Sequence, residues 1–364
     1  MGRDKYTIRR FEIDDIEDIL DLYHHTWFIR PSFNWFRWKY IDNPFIDHIP
    51  IFVAEFNEKV IGVKAFFALK LSINGKTSFA LQPCDTMVHS DHRRQGLFTK
   101  MTEKSIHEYS QSDVDIFFNF PNQNSAPANK KMGWETIDLL KTYYRFQNPL
   151  AIVADKTDLP IPSHTYGIGR LLYNSPYMVR QRLLSQNNPV DVRSLSTTPA
   201  DSLTRLYEHL VPDRAHVFRN ERFYNWRFDN PRREYTTYLG YIDGELRGAI
   251  VTSKHTDGNE FETTRFVEIL PLLDLQNQTM TIDALIKQSI YDNWNTDLFI
   301  VPNNLLPDDI LSKNGFRSDS SFPISKVSSE TRFMAKPLSK KDRITDLTLD
   351  SNEWILTSIE HDIS

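Results

Sequence analysis

The chain has 364 residues, with 43 Lys and Arg against 48 Asp and Glu for a net charge of −5, and a single cysteine, Cys84. Hydrophobic residues make up 40% and aromatic residues 13%, which excludes a disordered chain and allows about two domains of roughly 100–200 residues each. The acidic balance argues against a chain devoted to nucleic acid, the lone cysteine forbids an intramolecular disulfide, and neither a secretory apolar segment at Met1–Arg10 nor a membrane span of roughly 20 apolar residues is present; a cytoplasmic protein is expected.

Tyr6 to Phe11 alternates as a strand does, and Asp14 or Asp15 can cap a helix that carries Ile16, Ile19, Leu20 and Tyr23 on one face. The aromatic cluster Phe28, Phe33, Trp35, Phe36, Trp38 and Tyr40 reads as core or domain interface. Ile51 to Phe56 and Val60 to Leu71 form two strands around Asn57-Glu58-Lys59, and Asn74-Gly75 turns the chain into a third, Thr77 to Val88. Asn-Gly between alternating apolar runs is a strong hairpin signal.

After Val88 the chain runs through His89-Ser90-Asp91-His92-Arg93-Arg94-Gln95-Gly96-Leu97-Phe98-Thr99 into an amphipathic helix bearing Met101, Ile106 and Tyr109. Backbone N–H groups at a helix N-terminus point outward together, the helix dipole favours negative charge there, and a glycine lets phosphates approach the main chain. The strand Val114 to Phe120 then returns beside Thr77–Val88, followed by Pro121-Asn122 and a helix ending in Lys130-Lys131-Met132-Gly133-Trp134.

The chain repeats itself. Trp38-Lys39-Tyr40-Ile41-Asp42-Asn43-Pro44 recurs as Trp226-Arg227-Phe228-Asp229-Asn230-Pro231, Gly62 as Gly248, Phe120-Pro121-Asn122 as Val301-Pro302-Asn303, and Lys131-Met132-Gly133-Trp134 as Lys313-Asn314-Gly315-Phe316. Four matches in order define two related domains, 1–147 and 195–336, with a partly helical linker at 148–194 that contains Tyr166 to Leu184, and a tail at 337–364 in which Trp354-Ile355-Leu356 can dock as a strand. The second copy has no glycine and no Arg-Arg turn between Phe261 and Ile290, so its phosphate cradle is missing and it is read as degenerate.

The Arg93 to Phe98 turn resembles the acyl-CoA-binding signature of the GNAT acyltransferase superfamily, Arg/Gln-x-x-Gly-x-Gly/Ala, with Arg93 and Gly96 matching and Phe98 standing where a small residue is usual. Asn122 and the Lys-x-Gly-aromatic turn at Gly133-Trp134 fall at the family's spacing. The resemblance implies an α/β (α+β) fold of two GNAT-like domains, each a mixed, mostly antiparallel twisted sheet flanked by helices. It implies acetyl-CoA as acyl donor, held by backbone around Met87 and Val88, by the segment Arg93, Arg94, Gln95, Gly96, Leu97, Phe98 and Thr99, and by Asn122 along the pantetheine arm. The activity it implies is N-acyl transfer to a primary amine of a small molecule, with amino sugars of surface polysaccharide as one acceptor class. Two further readings are an aminoacyl or peptidyl transferase of the tandem GNAT-like type and a non-catalytic CoA-binding protein.

Transfer from a thioester to an amine also needs a base and a proton for the leaving thiolate. Asp85, three residues before Val88, is the candidate base, with a pKa raised by partial burial; Glu55 is a weaker choice. The tyrosine that many family members place four residues before the glycine of the Lys-x-Gly turn is here Asn129, so Tyr143 and Tyr144 on the following strand are the candidate acids, with direct protonation by solvent or by the amine as the alternative. His24, His25, His89 and His92 lack metal-ligand spacing with carboxylates, and no metal is expected. The sequence leaves the oligomeric state open.

Overall fold

The computed structural model describes residues 5–123, 125–156, 169–171, 174–175, 189–256, 261–273, 277–303, 305–322, 324–326, 331–338 and 349–362. Apart from 169–171 and 174–175, the helical stretch expected between Tyr166 and Leu184 lies outside the described residues. No described helix is long and apolar enough to cross a membrane.

The first half runs β1 (Thr7–Arg10), α1 (Ile16–Trp27), α2 (Phe33–Phe36), β2 (Ile51–Phe56), β3 (Lys59–Ile73), β4 (Lys76–Val88), α3 (Leu97–Tyr109), β5 (Ile116–Asn119), α4 (Ala126–Lys131), β6 (Glu135–Phe146) and α5 (Pro149–Lys156). The second runs β7 (Asp191–Leu195), α6 (Ala200–His209), β8 (His216–Val217), α7 (Glu221–Arg227), β9 (Glu234–Ile242), β10 (Glu245–Thr256), β11 (Glu262–Leu270), α8 (Thr279–Asp292), β12 (Leu298–Asn303), α9 (Asp308–Lys313), β13 (Arg317–Ser318) and β14 (Thr331–Pro337).

Local chemistry accounts for the element boundaries. Asp15 holds the start of α1 by accepting the Glu12 N–H at 2.7 Å and pairing with Arg9 at 2.7 Å, while Ile16, Ile19, Leu20, Leu22 and Tyr23 turn inward. Asn74 and Gly75 both take positive φ, 50° and 68°, so the β3–β4 turn follows the twist of its strands. The repeated glycines serve close helix packing: a Cβ on Gly62 would lie 3.4 Å from Met101 Cε of α3, and one on Gly248 would lie 3.1 Å from Thr281 Cγ2 of α8.

All these strands join one sheet in the order β1-β2-β3-β4-β5-β14-β6-β12-β11-β10-β9-β7, with β13 on β6 and β8 on β3. Most pairs are antiparallel, and β4–β5 and β11–β12 are parallel. Each half gives its last strand away. β14, from the second copy, pairs with β5 of the first, whereas β6 runs from β14 at residues 135–140 to β12 at residues 141–146.

The repeated tryptophans meet where the halves join. Trp38 Nε1 donates to the Trp226 carbonyl at 2.7 Å, Trp226 Nε1 donates to the Trp38 carbonyl at 2.9 Å, and the rings stack with centroids 6.0 Å apart. They belong to a core that takes in Trp35, Phe67, Leu239, Val251 and Trp354 from both halves and the tail. Of the sequence's aromatic cluster, Trp35, Phe36, Trp38 and Tyr40 are buried, and Phe28 is 85% exposed. The tail docks at Trp354–Leu356 through an isolated parallel bridge rather than a strand, with Ile355 N–H donating to Ala215 C=O at 2.9 Å and Ala215 N–H to Glu353 C=O at 2.6 Å.

Candidate active site

β4 and β5 are in register only at Ala80–Ile116 and Leu81–Phe117. Beyond that point β4 is shaped by a bulge: Met87 pairs with Val63 and Cys84 with Ala65, so Asp85 and Thr86 together oppose Lys64, and Asp85 takes φ 42°. Past Leu81 no β-ladder joins β4 to β5, which continues on its other edge with β14. A sheet that opens in this way exposes main-chain N–H and C=O groups to a ligand arm.

The turn after β4 ends beside this opening. Arg93 Nε donates to the Val88 carbonyl at 3.1 Å, Arg94 takes φ 61°, and Gly96 takes φ 74° as the N-cap of α3. The first bond of the helix runs from Lys100 N–H to Gly96 C=O at 2.9 Å, which leaves the N–H groups of Leu97, Phe98 and Thr99 ahead of the ladder. Leu97 is buried and anchors the helix, whereas Arg93, Arg94, Gln95, Gly96 and Thr99 are exposed. A Cβ built on Gly96 meets nothing within 4 Å. Open space, free amides and two arginines fit the pyrophosphate of an acyl-CoA. Lys64 adds a buried amine 5.2 Å from the Phe98 ring, and burial pulls it down to about 8. Met87 is buried and Val88 half-buried at the strand end. Asn122 organises the start of α4, its Oδ1 accepting the Ser125 N–H at 3.0 Å.

Behind the bulge lies a buried ionic group. Lys39, fully buried, places Nζ 2.5 Å from Asp85 Oδ2 and 2.8 Å from Asp362 Oδ2. The Asp362 N–H donates to Gln82 Oε1 at 2.8 Å, and His361 stacks on Phe120 with centroids 3.7 Å apart. Arg227, the repeat's counterpart of Lys39, donates to the carbonyls of Ile359 and His361 at 3.2 and 2.9 Å. The described part of the tail therefore passes between two equivalent cations, Lys39 and Arg227, and reaches Gln82 of β4. Cys84, Asp85 and Asp362 bring ligand atoms within 4.8 Å of one another, and the Lys39 ammonium supplies the positive charge beside them.

The expected raised pKa of Asp85 is corrected by this arrangement. Burial alone would push the carboxyl up, but Lys39 and the hydroxyls of Tyr23 and Tyr40 outweigh it and hold Asp85 below the usual carboxylate range. Asp362 goes the other way: burial and the neighbouring Asp85 raise it against the pull of Lys39. Glu55 sits away from the bulge on β2, bonded to Arg9 at 2.7 Å.

The two tyrosines separate. Tyr143 faces the second core with Phe266 and Phe299, and its hydroxyl bonds Asp308 Oδ1 at 2.5 Å; burial and that carboxylate raise its pKa. The strand exchange carries it to β12 and away from the cradle turn. Tyr144, on the opposite face of β6, is half-buried, and burial raises it too. Among the histidines, His25 stacks on His89 at 3.9 Å and joins α1 to the cradle turn. Lys39, Gln82 and Asp362 escaped sequence reasoning; the one available signal was the place of Lys39 inside the repeated Trp-Lys/Arg motif.

An open helix N-terminus thus stands above a bulged, parting pair of parallel strands. Residues 7–137 match the family model described as the acetyltransferase (GNAT) domain. An uncharacterized N-acetyltransferase of Methanocaldococcus jannaschii is 27% identical over 149 residues, 38% of this chain and 65% of that protein. Among solved structures, a probable N-acyltransferase from Enterococcus faecalis superposes with a TM-score of 0.61 at 10% identity over 92% of this chain and 72% of its own. N-myristoyltransferase from Saccharomyces cerevisiae, solved with bound myristoyl-CoA, superposes with a TM-score of 0.55 at 10% identity over 82% and 73%. These likenesses are of fold: a mixed, mostly antiparallel sheet flanked by helices.

Proposed function

We propose that this chain is a CoA-dependent N-acyltransferase that moves an acyl group, acetyl in the simplest case, from acyl-CoA to a primary amine of a small molecule such as an amino sugar. The observation that carries the reading is the pairing of the free α3 N-terminus and Gly96 with the bulge at Asp85–Thr86. The first positions a pyrophosphate; the second leaves main-chain N–H groups beside the opening to donate to the carbonyl oxygen as it gains charge. The amine nitrogen forms its bond to the carbonyl carbon, the carbon–sulfur bond breaks, and the thiolate leaves. Asp362 takes the ammonium proton, because it is the higher of the two carboxyls on Lys39 and its side chain remains 13% exposed. Asp85 stays ionised and fixes Lys39.

Calorimetric titration of acetyl-CoA against the wild type and Gly96→Asp tests the donor site. The aspartate adds bulk and charge where the phosphates sit, so binding to the wild type and at least a ten-fold loss in a folded variant is the expected result. No binding by the wild type overturns the reading; equal binding by both overturns the cradle.

A further inference from the structure

Across the second half, five strands place five residues in one row. Tyr235 of β9 pairs with Ser253 of β10, Ser253 with Arg265 of β11, Arg265 with Ile300 of β12, and Ile300 with Tyr144 of β6. Directly paired residues share a face of a sheet. The other face is filled, since Phe299 and Val301 on either side of Ile300 belong to the second core. The row's own face is open: Tyr235, Arg265, Ile300 and Tyr144 are all only half-buried.

Arg265 lies at the centre without an anion. The groups acting on it are Tyr144 and Arg233, and no carboxylate among the described residues bonds or ion-pairs with it. Burial draws its guanidinium down to about 10, with Arg233 adding to the effect. Arg227 and Arg233 lie near it; Arg227 donates to the carbonyls of Ile359 and His361, and Asp362 pairs with Lys39. A guanidinium partly out of water with no carboxylate paired to it is a good partner for an anion that reaches it.

This place adjoins the acyl-transfer site. His361 feels the charge of Arg265 and Arg227 on one side and stacks on Phe120 on the other, two residues before Asn122. Its Nε2 is buried without a hydrogen-bond partner. Arg233 and Tyr235 also line a cavity of about 480 Å³ with Asn225, Phe228, Asp229 and Glu234, at the Tyr235 end of the row.

We propose that Arg265, with Tyr144 near it, anchors an anionic group of the acceptor, so that the substrate is an amine that also carries a phosphate or carboxylate. The inference rests on the acyl-transfer reading for its substrate, but not for its anion site. It gives the half that lacks a cradle a task of its own: the first half holds the donor and the second selects the acceptor by charge. The planar fork of arginine suits both oxyanions, and a phenol such as that of Tyr144 can donate to either.

The test has two arms on the full chain. In the first, calorimetry follows inorganic phosphate and malonate against the wild type, Arg265→Leu and Arg265→Lys without any acyl-CoA, with circular dichroism reporting the fold. Binding of at least one anion by the wild type, weakened roughly ten-fold or more in Arg265→Leu and less in Arg265→Lys, is expected; the tighter anion tells phosphate from carboxylate. In the second, thiol release from acetyl-CoA is followed with glucosamine, glucosamine 6-phosphate and 2-amino-2-deoxyglucuronic acid. One anionic amine should exceed glucosamine by roughly ten-fold in kcat/KM, with the gap narrowed to under two-fold in Arg265→Leu, mainly through KM. Failure of both anions to bind the wild type, or an undiminished preference in a folded Arg265→Leu, overturns the anchor. Anion binding that needs Arg265 without thiol release from any amine keeps the anchor and defeats the acyl-transfer reading instead.

Discussion

Replacing Lys39 with methionine should be among the most damaging changes available to this protein, and its cost should depend on pH. The ammonium is fully buried and compensates two carboxylates, at 2.5 and 2.8 Å. Methionine fills similar volume, so packing changes little and the loss is electrostatic. Removing one partner of a buried ion pair costs about 3–5 kcal/mol. In the wild type Asp85 is held below its ordinary range, so its contribution to stability is present above pH 4 and is lost as pH falls through its folded value. Without Lys39, burial and the mutual repulsion of Asp85 and Asp362 are no longer offset by an ammonium and both carboxyls rise, which then weaken the fold at neutral pH and cease to do so once protonated. The difference between variant and wild type should therefore be largest near pH 7 and shrink toward pH 5. Urea unfolding at both pH values, followed by tryptophan fluorescence, measures it, since Trp35, Trp38, Trp226 and Trp354 lie in the shared core. A variant with Lys39→Met, Asp85→Leu and Asp362→Leu together should recover most of the loss, because no charge is left uncompensated. A single-variant loss under about 1 kcal/mol at pH 7, or one unchanged at pH 5, would refute the reasoning.

Three other outcomes are expected. Trp226→Phe keeps most of the ring but removes the donor to the Trp38 carbonyl; it should cost about 1–3 kcal/mol by urea unfolding, and a double cycle with Trp38→Phe should depart from additivity, so strict additivity would argue against a coupled pair. Burial lowers His216 to about 4; because the unfolded state binds the proton near pH 6.5, the stabilisation is full above that pH and about 2 kcal/mol of it is gone by pH 5. His216→Gln should flatten the stability profile over that interval by about that amount, and an unchanged slope would count against the neutral ring. Asp362→Asn keeps a polar side chain near Lys39 but cannot take the proton. It should lower kcat by about 10²-fold or more and remove the acidic limb of the pH–rate profile, and a near-normal kcat would return attention to other bases.

The turn into α3 was legible in the sequence because its residues are neighbours: a glycine after Arg93 and Arg94, before an amphipathic helix, announces an open N-terminus. The repeated tryptophans were legible because they are rare residues, and Trp38 and Trp226 touch. The setting of Asp85 was not. Asp85 lies on the right strand, but its pKa depends on Lys39, forty-six positions away, and on Asp362 in a tail whose sequence shows no spacing that links it to β4. The strand exchange was invisible for a related reason. The alternation of β6 tells which residues face inward, but it does not name the neighbour, and the same twelve residues serve β14 at one end and β12 at the other. Tyr143 was misplaced as a result.

The exchanged strands also bear on how such a chain changes over time. A duplicated half that has lost its phosphate cradle would ordinarily drift or be deleted without harm. Here deletion would strip β14 from the edge of β5 and leave the active sheet unfinished beside its own opening. The second half is thus bound to the first by main-chain register, so selection for one functioning donor site preserves the frame of both. Side chains on the second half's own open face stay free to vary, and specificity for new acceptors can evolve there while the chemistry next door stays fixed.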